Sequence, residues 1–242
     1  MGYRDKQQAI RKDTRNTKRG RKLIMVYIMS DIHGRKDRFD DILKQIRLTN
    51  KDTLYILGDV IDRNPDGITI LKHIMSKPNI KMLLGNHEDM MITALKHDYA
   101  TGIWYYNGGN TTHNRWKKQR ISTREQILNY LASLPIMYDL KLSDKKYRLV
   151  HGKSPSEKSL TNESLERLKK EVIWNRVNET DSGPEDITVI FGHTPTIHYQ
   201  DCDPLQIWYG NNLIGIDCGA AYLYGRLACL RLDDMKEFYS NC

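Results

Sequence analysis

No apolar run in this chain approaches the roughly eighteen residues of a membrane-spanning helix, and the N-terminus carries no hydrophobic signal region. Membrane insertion is therefore not expected. Cysteine is scarce: Cys202, Cys218, Cys229 and Cys242 form no CxxC pair and no regular spacing. That argues against a disulfide framework and for reduced thiols in a cytoplasm. Cys218 and Cys229 lie in apolar C-terminal segments and read as core fillers. No internal repeat is present, and low complexity is confined to the N-terminus. Nor is the net charge of +8 a property of the body. Residues 1–22 hold nine Lys/Arg against two Asp, so +7 of it sits there and about +1 is left for the remaining 220 residues.

Two regions follow: a basic extension over 1–22, too poor in apolar residues to fold alone and expected to be disordered, and one domain over 23–242. The extension reads as a solvated tail, as sequence upstream of a natural start at Met25, or as a phosphate-binding arm for nucleic acid. No aromatic or glycine pattern supports the last.

What the body does contain is a set of short strings placed at the ends of apolar runs. They are Asp31-Ile-His33-Gly34, Gly58-Asp59-Val-Ile-Asp62-Arg63, Gly85-Asn86-His87-Glu88, His151-Gly152 and Gly192-His193. The runs before them, Leu23–Met29, Thr53–Leu57, Ile80–Leu84, Tyr147–Val150 and Ile187–Phe191, have lengths that suit buried strands. Each would deliver its Asp, His or Asn to the carboxyl edge of a sheet, where open α/β sheets place ligands. One such string is ordinary turn chemistry. Five in order point to one doubly charged target, a pair of divalent metal ions held by mixed nitrogen and oxygen donors. Such a pair suits displacement at phosphorus, with one carboxylate shared between the ions.

Between the first three strings lie amphipathic stripes at helical spacing, Phe39, Ile42, Leu43 and Ile46, then Ile68, Leu71 and Met75, with Met91 and Leu95 after the third. This β-α-β-α-β alternation implies a parallel sheet with right-handed crossovers. From about Ser133 strands dominate (Ile136–Leu142, Leu213–Asp217, Leu227–Leu232), which implies a second sheet packed on the first. Two insertions stand out. Residues 98–133 read as a polar, aromatic loop (Trp104, Tyr105, Tyr106, Asn107-Gly-Gly109, Trp116) followed by a helix with Ile127, Leu128, Leu131 and Leu134. Residues 153–175 place Leu165, Leu168 and Val172 at helical spacing. The aromatic residues suit either substrate access or packing.

The strings resemble the signature blocks of calcineurin-like metallophosphoesterases, and more narrowly the PPP-type serine/threonine protein phosphatases: G-D-x-H-G, G-D-x-x-D-R-G and G-N-H-E with two later histidines. Ser30 stands where the first block usually has Gly, and Asn64 where the second does. The likeness runs from about Leu23 to Leu232, takes in Asn107-Gly-Gly109 and Ile173-Trp-Asn-Arg176, and is nearest to the compact bacterial branch that includes the bacteriophage lambda phosphatase. It implies an α/β fold, a four-layer αββα sandwich with a dinuclear metal site at the carboxyl edge of the central sheets. It also implies a catalytic domain over 23–242. Carried over by position, Asp31, His33 and Asp59 would hold one ion, and Asp59, Asn86, His151 and His193 the other. Mn²⁺ is the expected metal, with Fe²⁺ or Zn²⁺ as alternatives. His87, partnered by Asp62, would protonate the leaving group after attack by a metal-bridging hydroxide. Arg63 and Arg176 would bind the phosphate. Glu88 and Asp89 are assigned only to the helix dipole.

The implied activity is a cytoplasmic phosphatase acting on phosphoserine and phosphothreonine proteins or peptides, with phosphotyrosine as an extension. Gly192-His193-Thr194 lacks the second His of nuclease-type relatives, and Asp62 with Glu88 departs from the pattern of symmetrical dinucleoside tetraphosphate hydrolases. A hydrolase of dinucleoside tetraphosphates or small phosphoesters stays the first alternative. A nucleic-acid-binding protein acting through the basic tail is the second.

Overall fold

The computed structural model describes residues 10–15 and 24–241. Strand β1 spans Ile10–Arg15, β2 Val26–Met29, β3 Thr53–Ile56 and β4 Ile80–Met82. Further along come β5 (Met137–Leu142), β6 (Lys145–Val150), β7 (Thr188–Phe191), β8 (Trp208–Gly210), β9 (Leu213–Gly215), β10 (Ala228–Arg231) and β11 (Lys236–Tyr239). Helices α1 (Lys36–Ile46), α2 (Gly67–Met75) and α3 (Asn86–Lys96) follow β2, β3 and β4 in turn. The first insertion holds α4 (Thr101–Tyr106), α5 (Gly109–Lys117) and α6 (Ile121–Ala132); the second holds α7 (Glu157–Asn162) and α8 (Leu165–Trp174).

One sheet has the order β11-β10-β2-β3-β4 and the other β1-β5-β6-β7-β9-β8. Strands β2, β3 and β4 run parallel, as their intervening helices require, while β10 joins β2 antiparallel. In the second sheet β6, β7 and β9 run parallel. The period of two along each strand divides the core. Val26 and Ile28 point, with Tyr55, Leu57, Leu149, Ile190 and Ile214, into the space between the sheets. Tyr27 and Met29 point the other way, onto Phe39 and Ile42 of α1 and Ile68 and Leu71 of α2. On the opposite outer face Val150, Val189 and Phe191 pack on Leu168 and Val172 of α8. The inner strands β2, β3, β7 and β9 are thus buried on two faces, which is why they read as unbroken apolar runs. The architecture is the four-layer αββα sandwich.

The apolar runs outlast the regular ladders. Leu57, Leu83, Leu84 and Ile216 lie beyond the ends of β3, β4 and β9 yet stay buried, carrying the chain over the sheet edge toward the polar strings.

Two expectations need correction. The segment 1–22 does not stand wholly apart: Ile10–Arg15 forms β1, parallel to β5, from Ile10 opposite Met137 to Arg15 opposite Leu142. Strand addition to an open sheet edge is carried by main-chain hydrogen bonds, so a composition argument misses it. The rest of that expectation falls on residues 1–9 and 16–22, outside the described residues. The aromatic stretch after α3 is also not a loop. A 3₁₀ turn (Asp98–Ala100) leads into α4 and α5, and Trp104 and Trp116 are buried while Tyr99 and Tyr106 face solvent. The Asn and Gly residues that suggest a loop make one sharp corner at Asn107–Gly109, where Gly108 has φ +93°. In the second insertion, Ser156 and Ser164 cap α7 and α8 by accepting from the N–H groups of Ser159 and Arg167.

Removing residues 1–22 should leave a folded chain that is less stable by about 1–3 kcal/mol, a fall of several degrees in Tm. Amide exchange over Met137–Leu142 should quicken; unchanged protection there would show that β1 does not cover that edge.

Candidate metal centre

The polar strings begin within three residues of the ends of β2, β3, β4, β6 and β7. Six of their residues adopt left-handed backbone: Asp31 (φ 51°), His33 (48°), Asp59 (52°), Asp62 (70°), Arg63 (65°) and His193 (64°). Each such non-glycine residue costs on the order of 1 kcal/mol and persists only where the surroundings hold it. The holding bonds are visible: His33 N–H donates to the Asp59 carbonyl (2.9 Å) and Gly34 N–H to the Val60 carbonyl (2.8 Å), tying the first two loops together. A Cβ at Gly58 would lie 2.7 Å from the Gly85 backbone and 3.0 Å from His151 Nδ1, so only glycine lets the second and third loops approach.

Glu88, assigned from sequence only to the helix dipole, fastens those same loops. Its buried carboxylate accepts from the N–H groups of Asp59 (2.9 Å), Val60 (2.9 Å) and Gly85 (3.1 Å). Burial and the neighbouring Asp59 charge push its pKa up to about 7 against the pull of those N–H donors. The three-residue spacing from Gly85, that of a capping glutamate, was the available signal.

Asp59 stands at the centre. Its Oδ2 lies 3.7 Å from His33 Nε2 and 3.9 Å from His87 Nε2, and its Oδ1 lies 3.4 Å from His151 Nε2. Two ligand clusters share it, His33–Asp59–His87 and Asp59–His151–His193. Asn86 Oδ1 lies 2.8 Å from His151 Nε2. Asp31 Oδ1 is 4.0 Å from His33 Nε2, while its Oδ2 accepts from Ser30 Oγ (2.5 Å) and the His193 N–H (2.9 Å). All the residues expected to hold metal are thus brought together. His87 Nε2 reaches the same carboxylate as His33, beside Asp31, which the sequence reading had placed with His33 and Asp59; its ring is held charged and is not counted among the ligands.

The donor set fits a pair of divalent ions. His33 Nδ1 bonds the Ile61 carbonyl (3.0 Å) and His151 Nδ1 the Leu57 carbonyl (2.9 Å), which leaves both Nε2 atoms facing the shared carboxylate. His193 bonds Trp174 O through Nε2 (3.2 Å), so its Nδ1 is the free donor. Burial, with His87 and Arg63 nearby, drives the His33 pKa well down; burial and His151 bring His193 to about 3. Both rings are therefore neutral and ready to ligate. For His151 burial works the same way, but Asp59, Asp31 and Glu88 outweigh it and raise the pKa to about 9. Burial would raise Asp59, yet the surrounding imidazoles hold it well below the usual carboxylate range.

His87 donates from Nδ1 to Asp62 Oδ2 at 2.7 Å, and both residues are buried. Burial opposes its protonated form, but the Asp59 and Asp62 carboxylates prevail and raise its pKa. A cleft of about 710 Å³ opens over the centre, lined among the described residues by Asp31, His33, Arg63, Arg176, His193, Asp217 and Tyr222, among others. Arg63 Nη1 donates to Tyr222 Oη (3.1 Å) and its Nη2 lies 3.5 Å from His87 Nε2. Arg176 Nη1 donates to the His193 carbonyl and Thr194 Oγ1, both at 3.2 Å. Sequence reasoning missed Asp217, a buried carboxylate raised well above its ordinary pKa by burial and Asp31, although it ends an apolar run as Asp31 does. It also missed Tyr222, and the bond from Trp104 Nε1 to Asp62 Oδ2 (2.9 Å), for which a single sequence offers no signal.

Metal uptake should displace the proton that His151 carries below about pH 9, so affinity should rise as pH increases from 6 toward 9. Calorimetry in buffers of different ionisation heat should show proton release at neutral pH, with two ions bound per chain and both weakened by Asp59→Asn. Binding independent of pH, or one ion at saturation, would contradict the shared-carboxylate site.

Comparison with known proteins bears on the chemistry. Residues 24–227 match the calcineurin-like phosphoesterase family. The serine/threonine-protein phosphatase 1 of Salmonella typhimurium is 25% identical over 193 residues, 73% of this chain and 85% of that protein. A symmetrical bis(5'-nucleosyl)-tetraphosphatase of Buchnera aphidicola is 38% identical over 165 residues, 63% of this chain and 58% of that protein. The solved cold-active protein-tyrosine phosphatase of a Shewanella species shares the fold, with a TM-score of 0.58 at 15% identity over 96% of this chain and 82% of that one. Since the family match runs through all five ligand-bearing strand ends, the chain belongs to the calcineurin-like phosphoesterase family and is a metal-dependent phosphoesterase.

Proposed function

We propose that this phosphoesterase removes phosphate from phosphoserine and phosphothreonine in proteins, with phosphotyrosine as a further substrate. The observation that carries the reading is the buried His87–Asp62 pair at 2.7 Å, whose Nε2 lies 3.5 Å from Nη2 of Arg63 on the cleft wall. An alkoxide leaving group needs a proton at neutral pH, whereas a nucleotide leaves without one. When bound, the divalent ions would neutralise phosphoryl charge and lower the pKa of water at the site. Arg63 and Arg176, both on the cleft wall, bind the remaining phosphoryl oxygens with the planar fork that suits phosphate. His87, charged before the reaction, gives its Nε2 proton to the leaving oxygen, while Asp62 holds the Nδ1–H and fixes the ring.

Nitrogen and oxygen donors without thiolate suit Mn²⁺, with Fe²⁺ or Zn²⁺ as alternatives. Cys202, Cys218 and Cys229 are free, which agrees with a cytoplasmic setting, and no helix among the described residues is long and apolar enough to cross a membrane. A second reading, a symmetrical dinucleoside tetraphosphate hydrolase, is favoured by the 38% identical relative and by Tyr222 and Tyr224, stacked at 5.3 Å with Tyr222 on the cleft wall. No lysine is among the described lining residues to meet the phosphates of a tetraphosphate that lie beyond the metal centre, so the monoester is preferred. A nucleic-acid role would rest on the basic tail, of which the described part, Ile10–Arg15, is engaged in a sheet.

His87→Asn should slow turnover of serine phosphopeptides by about 10²–10⁴ and that of nitrophenyl phosphate much less, because nitrophenolate needs little protonation. Equal losses would remove the proton-donor role. In the unmodified chain, kcat/KM for phosphoserine or phosphothreonine peptides should exceed that for diadenosine tetraphosphate by about tenfold or more, roughly 1.4 kcal/mol. A preference for the dinucleotide, cleaved to two diphosphates, would establish the second reading instead.

A further inference from the structure

We infer that Trp104 and Thr112, on the helical hairpin inserted after α3, are positioning residues that hold Asp62 in line with His87. The inference rests on the reading of His87 as proton donor. The hairpin grips the Asp62–Arg63 turn at three points. Trp104 Nε1 donates to Asp62 Oδ2 at 2.9 Å, the Asp62 N–H donates to Thr112 Oγ1 at 2.9 Å, and the Arg63 N–H donates to the Gly108 carbonyl at 3.2 Å. That turn needs a grip, since Asp62 and Arg63 are consecutive left-handed residues with φ of 70° and 65°.

The hairpin corner is shaped for the task. A Cβ at Gly109 would fall 2.3 Å from the Trp104 indole, and one at Gly108 would fall 3.0 Å from the Arg63 backbone. Gly109 thus makes room for the ring and Gly108 for the turn. The carboxylate itself shows why an indole is suited. Asp62 is 0% exposed; its Oδ2 takes both the His87 and the Trp104 N–H, and its Oδ1 has no partner among the described residues. With one bond alone, a buried carboxylate would be poorly compensated and free to turn away from the imidazole. The indole N–H adds a second bond at the same oxygen and fixes the carboxylate plane. It is a donor only, so it cannot compete with Asp62 for the His87 proton, as a hydroxyl or amide could. Its apolar body meanwhile fills the core beside α3.

A residue that only packs would affect all substrates alike; one that aligns the proton donor acts on the leaving group. Trp104→Phe keeps a ring and removes the donor. It should lower kcat for a serine phosphopeptide by about 10- to 100-fold, leave nitrophenyl phosphate within about threefold, and leave both KM values within about twofold. In an Asp62→Asn background the same change should add less than about twofold. Thr112→Val, near-isosteric, should reproduce the leaving-group dependence more weakly, by about 3- to 10-fold on the peptide, and Thr112→Ser should restore kcat. Equal losses on both substrates, or full losses in the Asp62→Asn background, would overturn the inference. If Asp62→Asn itself shows no leaving-group dependence, the proton-donor reading fails and takes this inference with it. If Asp62→Asn shows it while Trp104→Phe and Thr112→Val do not, the inference alone fails.

Discussion

Asp59 is buried to 2% exposure with its two oxygens facing imidazoles on different sides, and a carboxylate taken out of water costs several kcal/mol unless charge and hydrogen bonds compensate it. The rest of the site can be understood as that compensation. His151 and His87 supply positive charge, His33 completes the first cluster, and the His87 N–H donates to Asp59 Oδ1 at 3.1 Å. A divalent pair would supply the same compensation more fully, which explains why His33 and His151 have their outer nitrogens tied to backbone carbonyls and their inner ones directed at one carboxylate. Glu88 adds a second buried carboxylate one layer back. It accepts only backbone N–H groups, so it stiffens the loops without joining the ligands.

The same constraint accounts for the backbone. Bringing several strand ends within reach of one carboxylate demands turns tighter than L-residues prefer, hence the left-handed Asp31, His33, Asp59, Asp62, Arg63 and His193. Their cost is offset by the sandwich beneath. The strands leading into the site are buried on both faces, and bonds between the loops lock each turn against its neighbour. Local strain of this kind is tolerated because the core is large and the strained residues are few. The two insertions then act on the finished site from outside: the first reaches Asp62 and Arg63, and the second ends at Trp174, whose carbonyl receives His193 Nε2, and places Arg176 on the cleft wall.

Much of this was legible in the residues alone. Strand runs ending in Asp, His or Asn mark the carboxyl edge because a buried strand must be apolar and a ligand must lie just past it, and that reasoning placed Asp31, Asp59, Asn86, His151 and His193 on strand ends of the two sheets. The parallel sheet and a second sheet packed on it follow from helical stripes alternating with such runs, while the four-layer sandwich was what the family resemblance implied. What stayed hidden depends on contacts between segments distant in sequence. Trp104 lies 42 residues from the carboxylate it donates to, and Asp62 accepts it only because the hairpin folds over the turn. Glu88 looks like a helix-dipole carboxylate until Gly58 is seen to let two loops close around it. β1 was invisible because an edge strand is held by main-chain bonds that composition does not report. Sequence by itself determined which Asp, His and Asn side chains stand past the strands and which end of each strand carries them, since apolar period and residue type are local properties. Tertiary structure decided which of those side chains share one carboxylate, which ring is held charged, and which distant residues keep it aligned, because burial and charge proximity exist only once the sheets have packed.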